Sequence, residues 1–273
     1  MSLEAPVKVK YSMMSIVFSL IALTSHAAPS NDILKKITDQ GVPVDALSRL
    51  VKFMDDYQGR TFQQQTYTCA KLPPESIKPC EESERTPSTS IVTLANPELV
   101  VIIDFSRAST EKRFFFINLK TGEVMKHLVS HGIGSGNSNY ASRFSNIKDS
   151  RQTSLGIYLA GDTYMGKYGR TLRLYGLQGS NDQAYNRDIV LHGAWYAADT
   201  FPDSINPKTG QKFGRLGVSW GCPALPTSTA AKLIPMLKNG SLVMHYFGSL
   251  MDDALTGQEV SAPTTDRRQT AKK

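Results

Sequence analysis

Leu99-Val-Val-Ile-Ile-Asp104, Arg113-Phe-Phe-Phe-Ile-Asn118 and the segment Glu123 to His131 decide the fold class of this chain. β-Branched and aromatic residues dominate them, which suits a pleated, packed surface better than a helix. The second and third flank the turn Lys120-Thr-Gly122 and are read as a hairpin. Further along, Leu155–Ala160, Leu172–Leu177, Ile189–His192 and Leu242–Phe247 carry the same signature, with one clear helix from about Ser228 to Leu237. Strands outnumber helices and do not alternate with them regularly. That argues against a Rossmann-type parallel sheet and for a mainly β fold with flanking helices, an α+β class.

Upstream of this block, Ile33, Leu34 and Ile37 recur at helical spacing within Asn31–Gln40, and Gly41 ends the pattern. Pro43 and Asp45 start a second amphipathic segment carrying Leu47, Leu50, Val51 and Met54. From Gln58 to Ser90 the character changes: Pro73, Pro74, Pro79 and Pro87 sit among Gln, Ser, Thr and Glu, a composition read as a loop or linker. Past Leu250 the chain turns polar and is expected to be a disordered tail.

At the amino terminus, Lys8 and Lys10 precede the apolar stretch Met13–Leu23, and Ser25-His26-Ala27 offers small residues where a signal peptidase reads. A bilayer span needs about 20 apolar residues, roughly twice this run. The expectation is a cleaved secretory signal, with no stable membrane insertion afterwards and a mature chain in the periplasm or outside the cell. In such an oxidising compartment Cys69 and Cys80 could pair; two unpaired thiols in a flexible segment is the alternative.

Composition removes other classes. Of 273 residues, 40% are apolar and 9% aromatic, which excludes a disordered chain, a collagen-like repeat and a polytopic membrane protein. The formal charge of +7, from 31 Lys plus Arg against 24 Asp plus Glu, favours anionic surfaces without naming one. These cations are scattered and match no recognition module, so a nucleic-acid partner is not expected. Three cysteines, Cys69, Cys80 and Cys222, are too few for a disulfide scaffold or a thiolate zinc site. His127 and His131 would share a strand face, but no third ligand lies near, so no metal is assigned and His127 is read as structural. Ser130-His-Gly-Ile-Gly-Ser-Gly136 lacks the third glycine of a dinucleotide fingerprint, where Asn137 stands. Its glycines are read as allowing a sharp turn or a close approach to substrate.

The sharpest feature is Ser219-Trp-Gly-Cys-Pro-Ala224, a cysteine held between Gly221 and Pro223 just ahead of a helix. A thiol needs a neighbouring base or cation to become a nucleophile near neutral pH. His192, ending Ile189-Val-Leu-His192, is the candidate base, with His131 as the rival. A buried apolar cysteine and a merely hydrogen-bonded histidine are the alternative reading of the pair.

At these residues the chain resembles the L,D-transpeptidase catalytic domain family of cell-wall enzymes. Asp104-Phe-Ser106, His131-Gly132, Gly134 to Gly136, Phe144-Ser-Asn146, Ser154-Leu-Gly156, Tyr164-Met-Gly-Lys-Tyr-Gly169, Leu172–Leu177, His192-Gly193, Gly214-Arg-Leu-Gly217 and Ser219–Pro223 carry the resemblance in order. It spans about Val92 to Phe247. Better-known members have a second histidine where Trp220 stands and a shorter gap than the 30 positions from His192 to Cys222, so Ala197–Gly214 is read as an insertion near the cleft.

The resemblance implies an L,D-transpeptidase-like β-sandwich or mixed-sheet catalytic domain. Its expected organisation is a signal at 1–27, a helical pair at 28–57, a Pro-rich linker at 58–91, the catalytic domain at 92–250 and the tail at 251–273. It implies that Cys222 attacks a stem-peptide diaminoacid carbonyl, with His192 moving the proton, the Gly193 carbonyl orienting the imidazole, and the N–H groups of Gly221 and Cys222 as oxyanion donors. Arg215 is the candidate carboxylate clamp, and Ser219 and Tyr164 are weaker pocket candidates. The partners implied are peptidoglycan stem peptides and an amine acceptor, either a second stem peptide or a wall-attached protein; no cofactor is implied. A carboxypeptidase or amidase that passes the same thioacyl intermediate to water is one alternative, and a non-catalytic cell-wall-binding protein is another.

Overall fold

The computed structural model describes residues 28–57 and 59–262, so the expected signal at 1–27 lies outside the described residues. Helix α1 (Asn31–Asp39) begins where the Ser30 hydroxyl accepts the Ile33 N–H, and ends at Gly41, whose φ of +85° few other residues adopt. Helix α2 (Val44–Tyr57) buries Ala46, Leu47, Leu50 and Phe53 on one face. Asp45–Arg49 and Lys52–Asp56 pair along its solvated side.

The segment read as a linker is instead a β-ribbon. Strands β1 (Thr61–Cys69) and β2 (Arg85–Thr93) pair antiparallel along their full lengths, from Thr61 opposite Thr93 to Cys69 opposite Arg85. The reading failed because this ribbon is polar and its second strand contains Pro87. In a two-stranded ribbon every strand is an edge, so a proline without an N–H is tolerated. A disulfide joins Cys69 to Cys80 across the connecting loop.

Next come β3 (Leu99–Asp104), β4 (Phe114–Asn118) and β5 (Glu123–His127), then the short β6 (Arg143–Phe144). The long strands β7 (Gly156–Gly166) and β8 (Gly169–Gly176) follow, then β9 (Val190–Gly193) and the two-residue β10 (Ala224–Leu225). Helix α3 (Thr227–Leu237), β11 (Leu242–Tyr246), α4 (Met251–Leu255) and β12 (Val260–Ser261) are the last elements of the described residues. Eight strands form one mixed sheet in the order β10-β9-β8-β7-β11-β3-β4-β5. Within it β11 runs parallel to β3 and β10 parallel to β9; the other pairs are antiparallel.

The fold is thus mainly β with few helices, built on a large mixed sheet. α3 packs against β3, β7, β8 and β9, while α2 contacts β11. Such cover explains why Val100–Ile103 are buried without alternation, since a strand covered on both faces reads as a continuous apolar run.

Two boundaries differ from expectation. The β4–β5 hairpin ends at His127, and the chain then leaves the sheet so that Ser130 bridges to Ala224. The expected tail is structured as far as 262: Met251 and Ala254 of α4 are buried, and Val260 of β12 pairs with Phe144. Residues 263–273 lie outside the described residues. The 197–214 insertion packs on itself, with Phe201 stacked on Phe213 at 4.7 Å and a bridge between Ile205 and Lys212.

Truncation of Ile103, fully buried in β3, to Ala should cost about 2–5 kcal/mol of stability. The same change at Ile91, 73% exposed, should fall within about 0.5 kcal/mol of the parent. Urea denaturation checks both; equal midpoints for the two variants would contradict this account of the core.

Candidate active site

The short parallel pairing of β9 and β10 sets Ala224 opposite His192 and Leu225 opposite Gly193. It brings the Gly-Cys-Pro turn beside the histidine strand, and the His192 N–H reaches the Pro223 carbonyl at 3.4 Å. Gly221 has φ +119°, and a Cβ there would stand 2.9 Å from the Gln152 carbonyl oxygen, so both torsion and space require glycine. The Ser219 hydroxyl donates to the Cys222 carbonyl at 2.6 Å and accepts the Gly221 N–H at 3.2 Å. Ser219 therefore builds the turn rather than lining a pocket, and the Gly221 N–H, expected as an oxyanion donor, is already used. The Cys222 N–H has no acceptor among the described residues.

The glycine-rich loop packs on this turn. A Cβ at Gly132 would lie 2.7 Å from Gly221 Cα, and one at Gly134 would lie 2.2 Å from the Ser150 carbonyl oxygen. The buried Thr153 hydroxyl accepts the Gly132 N–H at 3.0 Å and donates to the Gly221 carbonyl at 3.3 Å. These glycines serve close backbone packing around the Gly-Cys-Pro turn.

His192 is 7% exposed. Its Nδ1 lies 2.9 Å from the Gly193 carbonyl oxygen. A carbonyl can only accept, so Nδ1 carries the proton and Nε2 carries the lone pair. Burial holds the pKa of His192 below the ordinary imidazole value, against the opposing effect of that carbonyl. Tyr168 stacks on the imidazole with ring centroids 5.5 Å apart.

Cys222 is half-buried, and its Sγ donates to the Asp188 carbonyl at 3.5 Å. Burial pushes the thiol above its ordinary pKa; the Asp188 charge adds to that, whereas the Val190 backbone, Arg187 and Arg173 oppose it. Around it stand Tyr158, Tyr164 and Tyr196, each near enough for a thiolate charge to raise its hydroxyl pKa further beyond what burial does. For Tyr164 the result is about 12.

Arg215 donates to the Leu216 carbonyl at 2.7 Å and to Asn137 at 2.6 Å, and has no carboxylate partner among the described residues. Trp220 is 72% exposed with the Arg151 guanidinium 4.4 Å from its ring.

His131 does not face the thiol as a base. Arg113 Nη2 donates to its Nδ1 at 2.9 Å, so Nε2 bears the hydrogen and donates to the Gly136 carbonyl at 3.0 Å. Both ring nitrogens are occupied, and burial together with the Arg113 charge pulls its pKa to about 3.

Sequence reasoning missed Arg187 and Asp188. Arg187 donates to the carbonyls of Gln152 at 2.6 Å and Ser145 at 2.9 Å, tying the loop before β7 to the turn. Asp188 joins Tyr67, Arg85 and Arg173. A charged pair directly ahead of a buried strand was the available signal, because charges at such a border need partners.

The sequence profile of the L,D-transpeptidase catalytic domain matches residues 84–246. The chain belongs to that family. Among solved structures it is similar to an L,D-transpeptidase from Mycobacterium smegmatis, at 15% identity and a TM-score of 0.32, covering 55% of this chain and 58% of that one. It is also similar to an L,D-transpeptidase from Stackebrandtia nassauensis, at 13% identity and a TM-score of 0.31, covering 79% and 89%. A third is the helical cell shape determining protein Pgp2 (K307A mutant) from Campylobacter jejuni, at 16% identity and a TM-score of 0.35, covering 66% and 53%. The chain thus spans little more than half of the first and third of these proteins. No curated protein sequence matches it.

Buried neutral histidines make stability depend on acid. His131, at about 3, and His245, at about 4, stay unprotonated in the folded state, while an unfolded histidine binds a proton below about 6.5. The unfolded state therefore binds more protons between those values, and stability falls as pH drops from about 6.5 towards 4, by up to about 1.4 kcal/mol per unit per histidine. Urea unfolding from pH 7 to pH 4 should show this decline, shallower in His131→Asn; equal slopes in parent and variant would contradict the assignment.

Proposed function

We propose that this protein is an exported L,D-transpeptidase in which Cys222 is the nucleophile and His192 the base. The observation that carries the reading is the β9–β10 pairing, which sets the Cys222 turn beside an imidazole whose Nδ1–H is held by Gly193 and whose Nε2 can accept. The family acts on peptidoglycan stem peptides, so the substrate class is a stem peptide ending in a D-residue. Export agrees with the Cys69–Cys80 disulfide, a bond that persists in oxidising compartments. Among the described residues no helix is long and apolar enough to cross a membrane.

In the reaction, Sγ keeps its place while the S–H rotates about the Cβ–Sγ bond from the Asp188 carbonyl towards Nε2 and transfers its proton there. The thiolate attacks the carbonyl of the diaminoacid residue, and the C–N bond to the terminal D-residue breaks. That amine leaves with the proton from His192, and a thioester remains on Cys222. An acceptor amine then attacks the thioester, His192 takes its proton, and the new amide releases the thiol. A neutral imidazole at rest, favoured by burial, is the form needed to accept the first proton. The Cys222 N–H is the backbone donor available to the oxyanion, and loss of such a donor costs about 100- to 1000-fold in rate. Arg215 and Tyr164 are proposed to border the substrate, Arg215 through its guanidinium and a substrate carboxylate.

The test is turnover of a purified disaccharide-tetrapeptide with and without an added amine acceptor, followed by product mass spectrometry. Cross-linked or exchanged product from the parent, and none from Cys222→Ala, is expected. Full turnover by Cys222→Ala would sink the reading, and free acid as the sole product even with acceptor present would replace transpeptidation with hydrolysis.

A further inference from the structure

We propose that the disulfide-stapled β1–β2 ribbon positions the nucleophile through Asp188, which is a positioning residue for Cys222. This rests on the reading of Cys222 given above. Asp188 lies two residues before β9 and adopts φ +55°, a left-handed conformation uncommon outside glycine that Asp tolerates better than most residues and that its side-chain partners hold in place here. Its carbonyl is the acceptor of the Cys222 thiol at 3.5 Å. The direction of that carbonyl is therefore set by whatever fixes the residue's torsion.

The side chain supplies the restraint. Oδ1 accepts from the Tyr67 hydroxyl and, at 3.0 Å, from Arg173 Nη1, while Oδ2 accepts from Arg85 Nη2 at 2.5 Å. Tyr67 lies in β1 and Arg85 opens β2, so two of the three partners come from the ribbon. The third, Arg173, has no exposed surface and is itself oriented from the ribbon loop, where the Ile77 carbonyl accepts its Nε–H at 2.8 Å. The staple joins the same network: the Cys80 carbonyl accepts from Arg85 Nη2 at 2.8 Å and from Nε at 3.1 Å. The Arg85 guanidinium also lies 4.1 Å from the Tyr67 ring centroid. A continuous set of contacts thus runs from the disulfide through Arg85 to the Asp188 carboxylate, and through that residue's backbone to the thiol.

Charge and position make separable contributions. The Asp188 carboxylate raises the pKa of the thiol, and Arg173 opposes it. Replacement by Asn removes the raising charge and keeps the backbone carbonyl, but weakens the grip that aims it. The thiol should then ionise more readily and yet be less well placed, two changes of opposite sign that a merely structural residue would not produce.

The test uses the purified full chain. Alkylation of Cys222 by iodoacetamide is followed against pH by intact mass, beside disaccharide-tetrapeptide turnover and a thermal melt. In Asp188→Asn the alkylation midpoint should move down, making alkylation at pH 7 several-fold to about tenfold faster. Its turnover should fall about 10- to 100-fold, the scale of a misplaced reacting group. Tyr67→Phe and the Cys69→Ser/Cys80→Ser pair leave the carboxylate charge in place, so each should lower turnover with an unmoved midpoint. These two also carry the test if Asp188→Asn does not fold. An unmoved midpoint in folded Asp188→Asn, or parental turnover in both Tyr67→Phe and the serine pair, would overturn the proposal. Retained turnover in Cys222→Ala would instead overturn the functional reading, leaving the midpoint shift to report the coupling by itself.

Discussion

The parallel pairing of two residues, Ala224 and Leu225, with His192 and Gly193 is the constraint on which the site depends. It joins chain segments separated by a self-packed insertion, and each neighbour inherits its place from it. Ser130 bridges to Ala224, and Gly132 bridges to Ser219, so the glycine-rich loop lies on the Gly-Cys-Pro turn. α3 starts two residues after the pairing and packs back across β8 and β9, holding the edge of the sheet. A side chain on Gly132 or Gly221 would collide with backbone and push the two segments apart.

Around this frame the polar groups have distinct duties. His131 and Arg113 satisfy each other within the core, which removes that histidine from the chemistry and explains why it can be fully buried. Arg187 binds carbonyls and hydroxyls of the 145–154 loop rather than a carboxylate, so it adds positive charge near the thiol while fixing the loop. The carboxylate of Asp188 is shared by Arg85 and Arg173, and the Arg173 charge opposes its raising effect on the Cys222 thiol. His192 is left with one fixed nitrogen and one available nitrogen.

Much of the architecture was legible because periodicity is a local signal. The spacing of Leu47, Leu50 and Val51 marks α2, and the unbroken apolar run of β3 marks a strand covered on both faces. The Gly-Cys-Pro turn and His192 were legible as residue types with chemical needs, and the family resemblance joined them. The β1–β2 ribbon was hidden because its strands are polar and interrupted by proline; partners across the ribbon, rather than any local pattern, make them strands. Ser219 and the Gly221 N–H were misread because a residue name does not reveal which hydrogen bonds a tight turn uses internally. The charged pair ahead of β9 signalled a need for partners, but not which ones: Tyr67 and Arg85, which hold Asp188, lie about a hundred positions upstream in the segment read as a linker.

The most direct test of the central claim is peptide mapping of the protein quenched in acid during turnover of a disaccharide-tetrapeptide. The account predicts that the peptide carrying Cys222 gains the mass of the substrate minus that of the released D-amino acid, and that the adduct disappears when an amine acceptor is added. Turnover with that peptide unmodified throughout, or with the acyl group on another residue, would contradict it.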